Sequence, residues 1–480
     1  APRRAPGGED AAWQQVQLME GSLMEYRIDR FQGLSQAGDD LIMPGGCAPE
    51  AENVSTEDGR LSVARGFRRH AAPPLAGGIG TLAAFHQRRE GETVRRLVAV
   101  NKEGVWELTE AGWQARYLGA GAERASALNY QKAGADILLL ADGVRPVLKW
   151  DGGAQMEPLP GCPHPFGQLT LNYERVWGSA VANEPDAVYW SRAFNPEDWS
   201  GDAERPDAGG GTVLIPTWNG GRVKALKTFL GDVLVFKDED LFRIVGTYPG
   251  NYEVVRVHGV VGPVAPMSIA WTAGACYFLG EDGLCAYDGV TAQLVGGGEA
   301  KRLYERVNRP SAQGAVSALY KGRLHLALPL DGATHNNALL EVDLARGQYL
   351  LKTGFTVNCF LALDDALLMA DADGRLHVYG AGDSYAGAKI DAFWRGPWQQ
   401  MGAGAGRFTQ LNMFASGAMD ITLETDRSRM TRRVMLGERM RPACVPLSGS
   451  GRRFRLTIRN IDGGRFAVAP GLTISAERDD

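Results

Sequence analysis

Four carboxylates stand close together in one stretch: Glu184, Asp186, Glu197 and Asp198. Two carboxyl groups facing each other across a cleft, about 5 to 9.5 Å apart, could cleave a glycosidic bond. Sequence spacing does not set that separation, and acidic hairpin turns account for the same residues. The overlapping string VYWSRAFNPEDW carries Tyr189, Trp190, Phe194 and Trp199. Their rings could form a sugar platform; the reading preferred here is that they pack between neighbouring sheets and fix the following turn.

Other chemistry is sparser. Asp371, Asp373 and Gly374 in DADGRLHVYG resemble the start of a calcium loop. The pattern stops after two acids and lacks the later bidentate carboxylate, so an acidic hairpin turn is expected. Asp238, Glu239 and Asp240, and Glu281, Asp282 and Gly283, read the same way. The seven histidines (His70, His86, His164, His258, His325, His335, His377) stand singly, without HxxxH or HExxH; a metal site would have to be assembled from several sheets. No GxSxG elbow, phosphate-cradling loop or dinucleotide fingerprint occurs. The cysteines form no CxxC pair; Cys276 and Cys285 fall on neighbouring strands, and isolated thiols packed as small hydrophobes are expected, as suits a reducing compartment. No cofactor is implied.

Near the C-terminus Arg429, Arg432 and Arg433, with Arg452, Arg453 and Arg455, make a locally basic region. It reads as a solvated or subunit-facing surface, with DNA or an acidic neighbouring ring as the sharper alternative. The chain as a whole has 480 residues, 51.8 kDa and a net charge of −5, with no basic stripe for wrapping nucleic acid. A weakly acidic pore would still let DNA pass without gripping it. The length suits one large domain plus a smaller one. The start, APRRAPGGED, has no apolar core for a signal sequence, Ala1 reads as what remains after removal of an initiator Met, and no run is long and apolar enough to span a membrane.

The elements that must position these residues are short strands. The 62 glycines are spread along the chain, as many tight turns require. From Val223 to Gly298 one plan occurs twice: an apolar strand, an acidic turn, a second strand, a Gly-containing turn and a last strand. Similar units read at about 79–119, 124–161, 166–200, 315–354 and 355–384. Together they predict a β-propeller of about seven blades, with six or eight as alternatives. EAKRLYERV predicts one short helix, with Leu303 and Val307 on one side. From residue 386 longer alternating strands such as RFRLTIRN predict a small antiparallel β-sandwich. The expected divisions are an N-terminal arm (1–20) anchored by Trp13, a β lead-in (21–75), the propeller (76–385) and the sandwich (386–480). The lead-in is expected either to supply the strand that closes the propeller or to join the terminal domain.

The string AVYWSRAFNPEDW, the block running from GDVLVFKDEDLFRIVGTYPGNYEVVRVHG through VAPMSIAWTAGACYFLGEDGLCAYDG, and the lead-in FQGLSQ…AENVSTEDGRLSVARGF resemble the β-propeller structural proteins of tailed bacteriophages and prophages. These are described as tail, head–tail stabilisation or tail nozzle proteins. The shared motifs fix turns and packing and carry no catalytic residue to transfer. The resemblance implies a non-enzymatic virion component of the tail or neck, made in the bacterial host cytoplasm. It implies a homo-oligomeric ring, a hexamer among the options, attached to portal, adaptor or other tail proteins, with DNA passing through unread during ejection. In that setting Trp13 of the arm and Arg432, Arg433, Arg453 and Arg455 of the sandwich are candidate interface residues. The alternatives are a glycan- or receptor-binding propeller using Tyr189, Trp190 and Trp199, and a glycan-cleaving propeller enzyme.

Overall fold

The computed structural model describes residues 23–479, except 37, 90, 219, 260, 261, 297, 402 and 403. The expected N-terminal arm and Trp13 lie outside the described residues. The chain divides into two compact units, one of residues 66–347 and 353–386, the other of residues 1–65, 348–352 and 387–480.

The first unit is a seven-bladed β-propeller. The first strands of its blades are Thr81–Arg89, Ser126–Lys132, Gln168–Asn172, Val223–Phe229, Ala270–Trp271, Val316–Tyr320 and Cys359–Ala362. The second strands are apolar almost throughout because they are covered on both faces. Along Ala135–Ala141, Leu138 and Leu140 enter the core shared with blade 1, while Ile137, Leu139 and Ala141 enter the core shared with blade 3. Along Asp232–Lys237, Val233 and Val235 likewise pack towards blade 3, Leu234 and Phe236 towards blade 5. Each such side chain contributes roughly 1.5–3 kcal/mol on full burial, so alternation along one strand ties three blades together. The predicted helix is a single turn, Lys301–Glu305, with Leu303 and Tyr304 buried.

The lead-in performs both tasks expected of it. Phe67–Arg69 pairs antiparallel with His377–Tyr379 and completes blade 7, and Phe67 stacks on Tyr385 at 5.1 Å between centroids. Earlier segments belong to the second unit: Leu23–Ile28 pairs with residues 472–477, Glu50–Glu52 with Phe393–Arg395, and Leu61 and Ser62 with Val468 and Ala467. The division therefore falls inside the lead-in, at 65/66.

The second unit is the β-sandwich, organised by one strand, Ala405–Thr425. Its first half pairs with Arg441–Pro446 and Leu472–Asp479, its second half with Arg429–Met435 and Arg453–Asn460. The strand changes sheets at Gly417, where φ is +82° and a Cβ would lie 2.0 Å from the Arg465 carbonyl oxygen. A strand that switches sheets makes the corner of such a sandwich. Phe454, Leu456 and Ile458 face the core beside Ile421 and Leu423, while Arg453 and Arg459 are exposed, following the alternation of the sequence.

Candidate functional site

The aromatic platform is not assembled. Tyr189 and Trp190 are neighbours on one strand and point to opposite faces. Tyr189 packs with Phe166 and His164 in the core between blades 2 and 3, and its hydroxyl donates to Glu184. Trp190, 8% exposed, lies 5.3 Å from Trp177 and 5.2 Å from Tyr252 in the core between blades 3 and 4. Trp199 packs on Phe166, and its indole N–H donates to the Pro196 carbonyl, fixing the turn. Phe194 alone is exposed.

Each of the four carboxylates is engaged by a neighbour, Glu184 by the Tyr189 hydroxyl. Asp186 is bound by the buried Lys237 at 2.5 Å. Glu197 lies between Lys132 at 2.5 Å and Lys149 at 2.9 Å, and the Lys132 hydrogen bond above all holds it below the ordinary carboxylate value. Asp198 is lowered chiefly by the Ser200 hydroxyl, with Arg192 assisting. Glycoside cleavage requires one carboxyl kept protonated, the opposite of what these neighbours do to Glu197 and Asp198. Asp371 caps its own turn by accepting from the Asp373 and Arg375 backbone N–H groups, with His377 at 2.9 Å. Among the described residues no three His, Cys, Asp or Glu side chains are grouped to hold a metal. The six cysteines are free, and burial pushes the Cys276 and Cys285 thiols up to about 12.

Strand register sets carboxylates beside several of the C-terminal arginines, which remain largely exposed. Asp420 stands between Arg433 and Arg459, and Glu424 between Arg429 and Arg455. Arg433 pairs with Asp420 through both nitrogens at 3.0 and 3.1 Å, and Arg455 pairs with Glu424 at 3.1 and 3.0 Å while lying over Trp398. Arg432 points to the other side and donates to the Pro446 carbonyl; Arg453 is exposed, its backbone N–H held by Asp426.

Positive charge collects instead on the propeller axis. A cavity of about 750 Å³ opens where the first strands begin, and its charged lining is Glu123, Arg124, Arg222, Lys224 and Arg309. A second cavity, of about 380 Å³ and reaching deeper along the same strands, adds Arg95, Lys227 and Asp364. Arg124 donates to the carbonyls of Gly80, Gly314 and Asn358 and to the Asn358 side chain, and pairs with no carboxylate among the described residues. Desolvation pushes its guanidinium below the ordinary arginine value. A β-bulge between Val223 and Ala225 turns Lys224, which meets Asp238 at 2.9 Å. Lys227 lies 5.7 Å from the Trp271 ring, and desolvation pushes its ammonium down. Arg145, whose side chain is 4% exposed, supports the mouth: it pairs with Asp142 at 2.8 Å and donates to the carbonyls of Asn101, Gly119 and Ala122, fixing the segment that delivers Arg124.

The turns between first and second strands carry a different feature. Tyr173 (φ +44°) and Leu230 (φ +51°) occupy the same two-residue turn in blades 3 and 4, and are 47% and 63% exposed. Such turns require positive φ and favour Asn or Gly; a bulky residue is held there at a cost on the order of 1 kcal/mol. Phe194 and Val290 extend the row. The Phe194 N–H donates to the Glu174 carbonyl, a Cβ at Gly231 would lie 3.3 Å from the Tyr173 hydroxyl, and one at Gly289 would lie 2.8 Å from Leu230.

No family model matches the sequence, and no curated protein matches it. Among solved structures, the chain is similar to the computationally designed Ika8 protein at 14% identity and TM-score 0.39, over 65% of this chain and 99% of that one. It is also similar to the WD40 domain of Neurospora crassa Pan2 at 9% identity and TM-score 0.37, over 66% of this chain and 94% of that domain. The strand order itself defines the class: a seven-bladed β-propeller joined to a β-sandwich built from both ends of the chain.

Proposed function

We propose that this protein is a non-enzymatic assembly component, and in its sharper form a ring-forming subunit of a tailed-phage tail or neck. The observation that carries the reading is the row of exposed apolar turn tips, Tyr173, Phe194, Leu230 and Val290. Three of these residues are held at positive φ, where a small polar residue would cost less and hydrate better. Apolar side chains gathered on one face are the mark of a surface covered by a partner. The sequence resemblance supplies the kind of assembly: a ring whose closing contacts join different faces of neighbouring subunits.

Light scattering and negative-stain imaging, alone and with candidate neck or tail proteins, test this reading. Closed rings with an axial hole about as wide as duplex DNA are expected. Leu230→Asp with Val290→Asp should release monomers without lowering thermal stability, because both side chains are exposed. A wild-type protein that stays monomeric with every partner would overturn the proposal.

Glycan recognition is the second reading, favoured by one observation away from the expected aromatics. Trp218 is fully exposed beside a cavity of about 420 Å³ lined also by Glu239, Asp240, Phe242 and Arg256. Saturable binding on a glycan array that is lost in Trp218→Ala, but kept in the Leu230→Asp, Val290→Asp variant, would favour it.

A further inference from the structure

We propose that the mouth of the propeller axis binds a compact polyanion, a small molecule carrying at least two phosphate or carboxylate groups. The inference does not rest on the assembly reading, which concerns the turn tips between first and second strands.

Charge balance is the first argument. The chain carries −5 overall, yet the two axial cavities are lined by Arg95, Arg124, Arg222, Lys224, Lys227 and Arg309 and by the acids Glu123 and Asp364, with Asp238 and Asp365 beside Lys224 and Arg95. Glu123 is met by Lys102 at 3.7 Å, Asp364 by Arg95 at 3.2 Å and Asp238 by Lys224 at 2.9 Å, which leaves Arg124, Arg222, Lys227 and Arg309 without a salt bridge among the described residues. Like charges gathered in a cleft with low-dielectric walls focus the field and attract counter-ions. They also repel one another, a cost that a bound anion removes.

The second argument is the state of the individual groups. Arg124 is fixed by four oxygen acceptors from blades 1, 6 and 7, so its position is set before any ligand arrives, and none of those acceptors carries charge. Arg222 and Arg309 are exposed at the rim, and neither guanidinium is ion-paired among the described residues, although Arg222 lies near Asp238. Planar guanidinium groups match the oxygens of phosphate and carboxylate in pairs. Lys227, three residues beyond Lys224 on the same strand, has no hydrogen-bond acceptor among the described residues and stands deeper in the axis.

Size and lining select the class. About 750 Å³ lies within the range of small-molecule sites, and is too small for a duplex. The mouth has no aromatic ring in its lining on which a base could stack, and stacking is what single-stranded nucleic acid needs. Anionic oxygens are therefore the recognised feature, and phosphate and carboxylate sources are separated by the probe.

The test is calorimetric titration of the full chain with tripolyphosphate and, separately, with citrate. Saturable one-to-one binding of at least one probe is expected, weakening as salt is raised. Arg222→Glu combined with Arg309→Glu should weaken it at least tenfold while the thermal unfolding midpoint changes little, since both side chains are exposed and neither is ion-paired among the described residues. Arg433→Glu, which removes a cation from the sandwich, should leave affinity unaltered. Preference for tripolyphosphate assigns a phosphate ligand and preference for citrate a carboxylate ligand. No saturable heat with either probe, equal affinity in the doubly reversed variant, or binding of an oligoglutamate peptide but of neither small anion would overturn the proposal.

Discussion

Two regions of this protein are rich in arginine, and they use it in opposite ways. On the sandwich sheet the arginines lie on two strands flanking a third that carries Asp420 and Glu424, so each row across the sheet reads cation, anion, cation, and two of the four guanidinium groups are held bidentately. On the propeller axis the cations come from blades 1, 2, 4 and 6, and Arg124 meets only carbonyl and amide oxygens. Runs of arginine in sequence therefore do not mark the electropositive site. What decides is whether register delivers a carboxylate opposite each one, and only the three-dimensional pairing of strands supplies that.

The comparison is broken most severely by removing a buried partner. Arg145 and Asp142 have side chains 4% and 3% exposed, and Asp142 also accepts the backbone N–H groups of Ala122, Val144 and Arg145. Arg145→Ala strands that carboxylate and three carbonyl acceptors, and is expected to lower unfolding free energy by about 3–5 kcal/mol. Arg145→Lys should recover only part of this, because an ammonium cannot reach the same acceptors with one planar group. The denaturant midpoint of each variant measures the effect; a loss below 1 kcal/mol would mean that the mouth is not held by this residue.

A smaller effect follows from Glu197, which joins Lys132 of blade 2's first strand to Lys149 of its third. Its folded value is depressed below the ordinary 4.5, so the ionised carboxylate stabilises the fold above that value, and the contribution is lost as pH falls through the folded value. Wild type and Glu197→Gln should differ in thermal midpoint at neutral pH and converge on the acid side of 4.5. A gap that stays constant down the titration would remove the charge from the explanation and leave shape alone.

Much of the architecture was legible in the sequence because burial on both faces forces a signature that no turn or loop shares. ILLLA and VLVF are apolar at consecutive positions since alternate residues enter different inter-blade cores. RFRLTIRN shows strict alternation because one face of the sandwich sheet is exposed. Trp190 and Trp199 were legible as packing residues for the same reason. The axial mouth was not, because Arg124, Arg222 and Arg309 are far apart in the chain and become neighbours only when the ring closes. The turn tips left a fainter trace: Asn172-Tyr173-Glu174-Arg175 and Phe229-Leu230-Gly231-Asp232 put a bulky residue where a two-residue hairpin favours Asn or Gly. A large side chain at such a position is a signal that sequence reading can use, since a conformational cost maintained without a packing gain points to a surface with another use.

The smallest expected effect sharpens the comparison from the sandwich side. Arg433 and Asp420 form a bidentate pair with side chains 63% and 26% exposed. A double-mutant cycle with Arg433→Ala and Asp420→Ala in the monomer should give only a small coupling that decreases with salt. Arg459 stands opposite Asp420 in register, but its guanidinium pairs with Asp391 at 3.1 Å, so the cycle reads the Arg433–Asp420 pair by itself. Repeating the cycle under assembly conditions then asks what covers this sheet. Coupling that stays small and salt-sensitive means the rows of arginine remain in water, while coupling that rises several-fold and resists salt means that a neighbour has desolvated them.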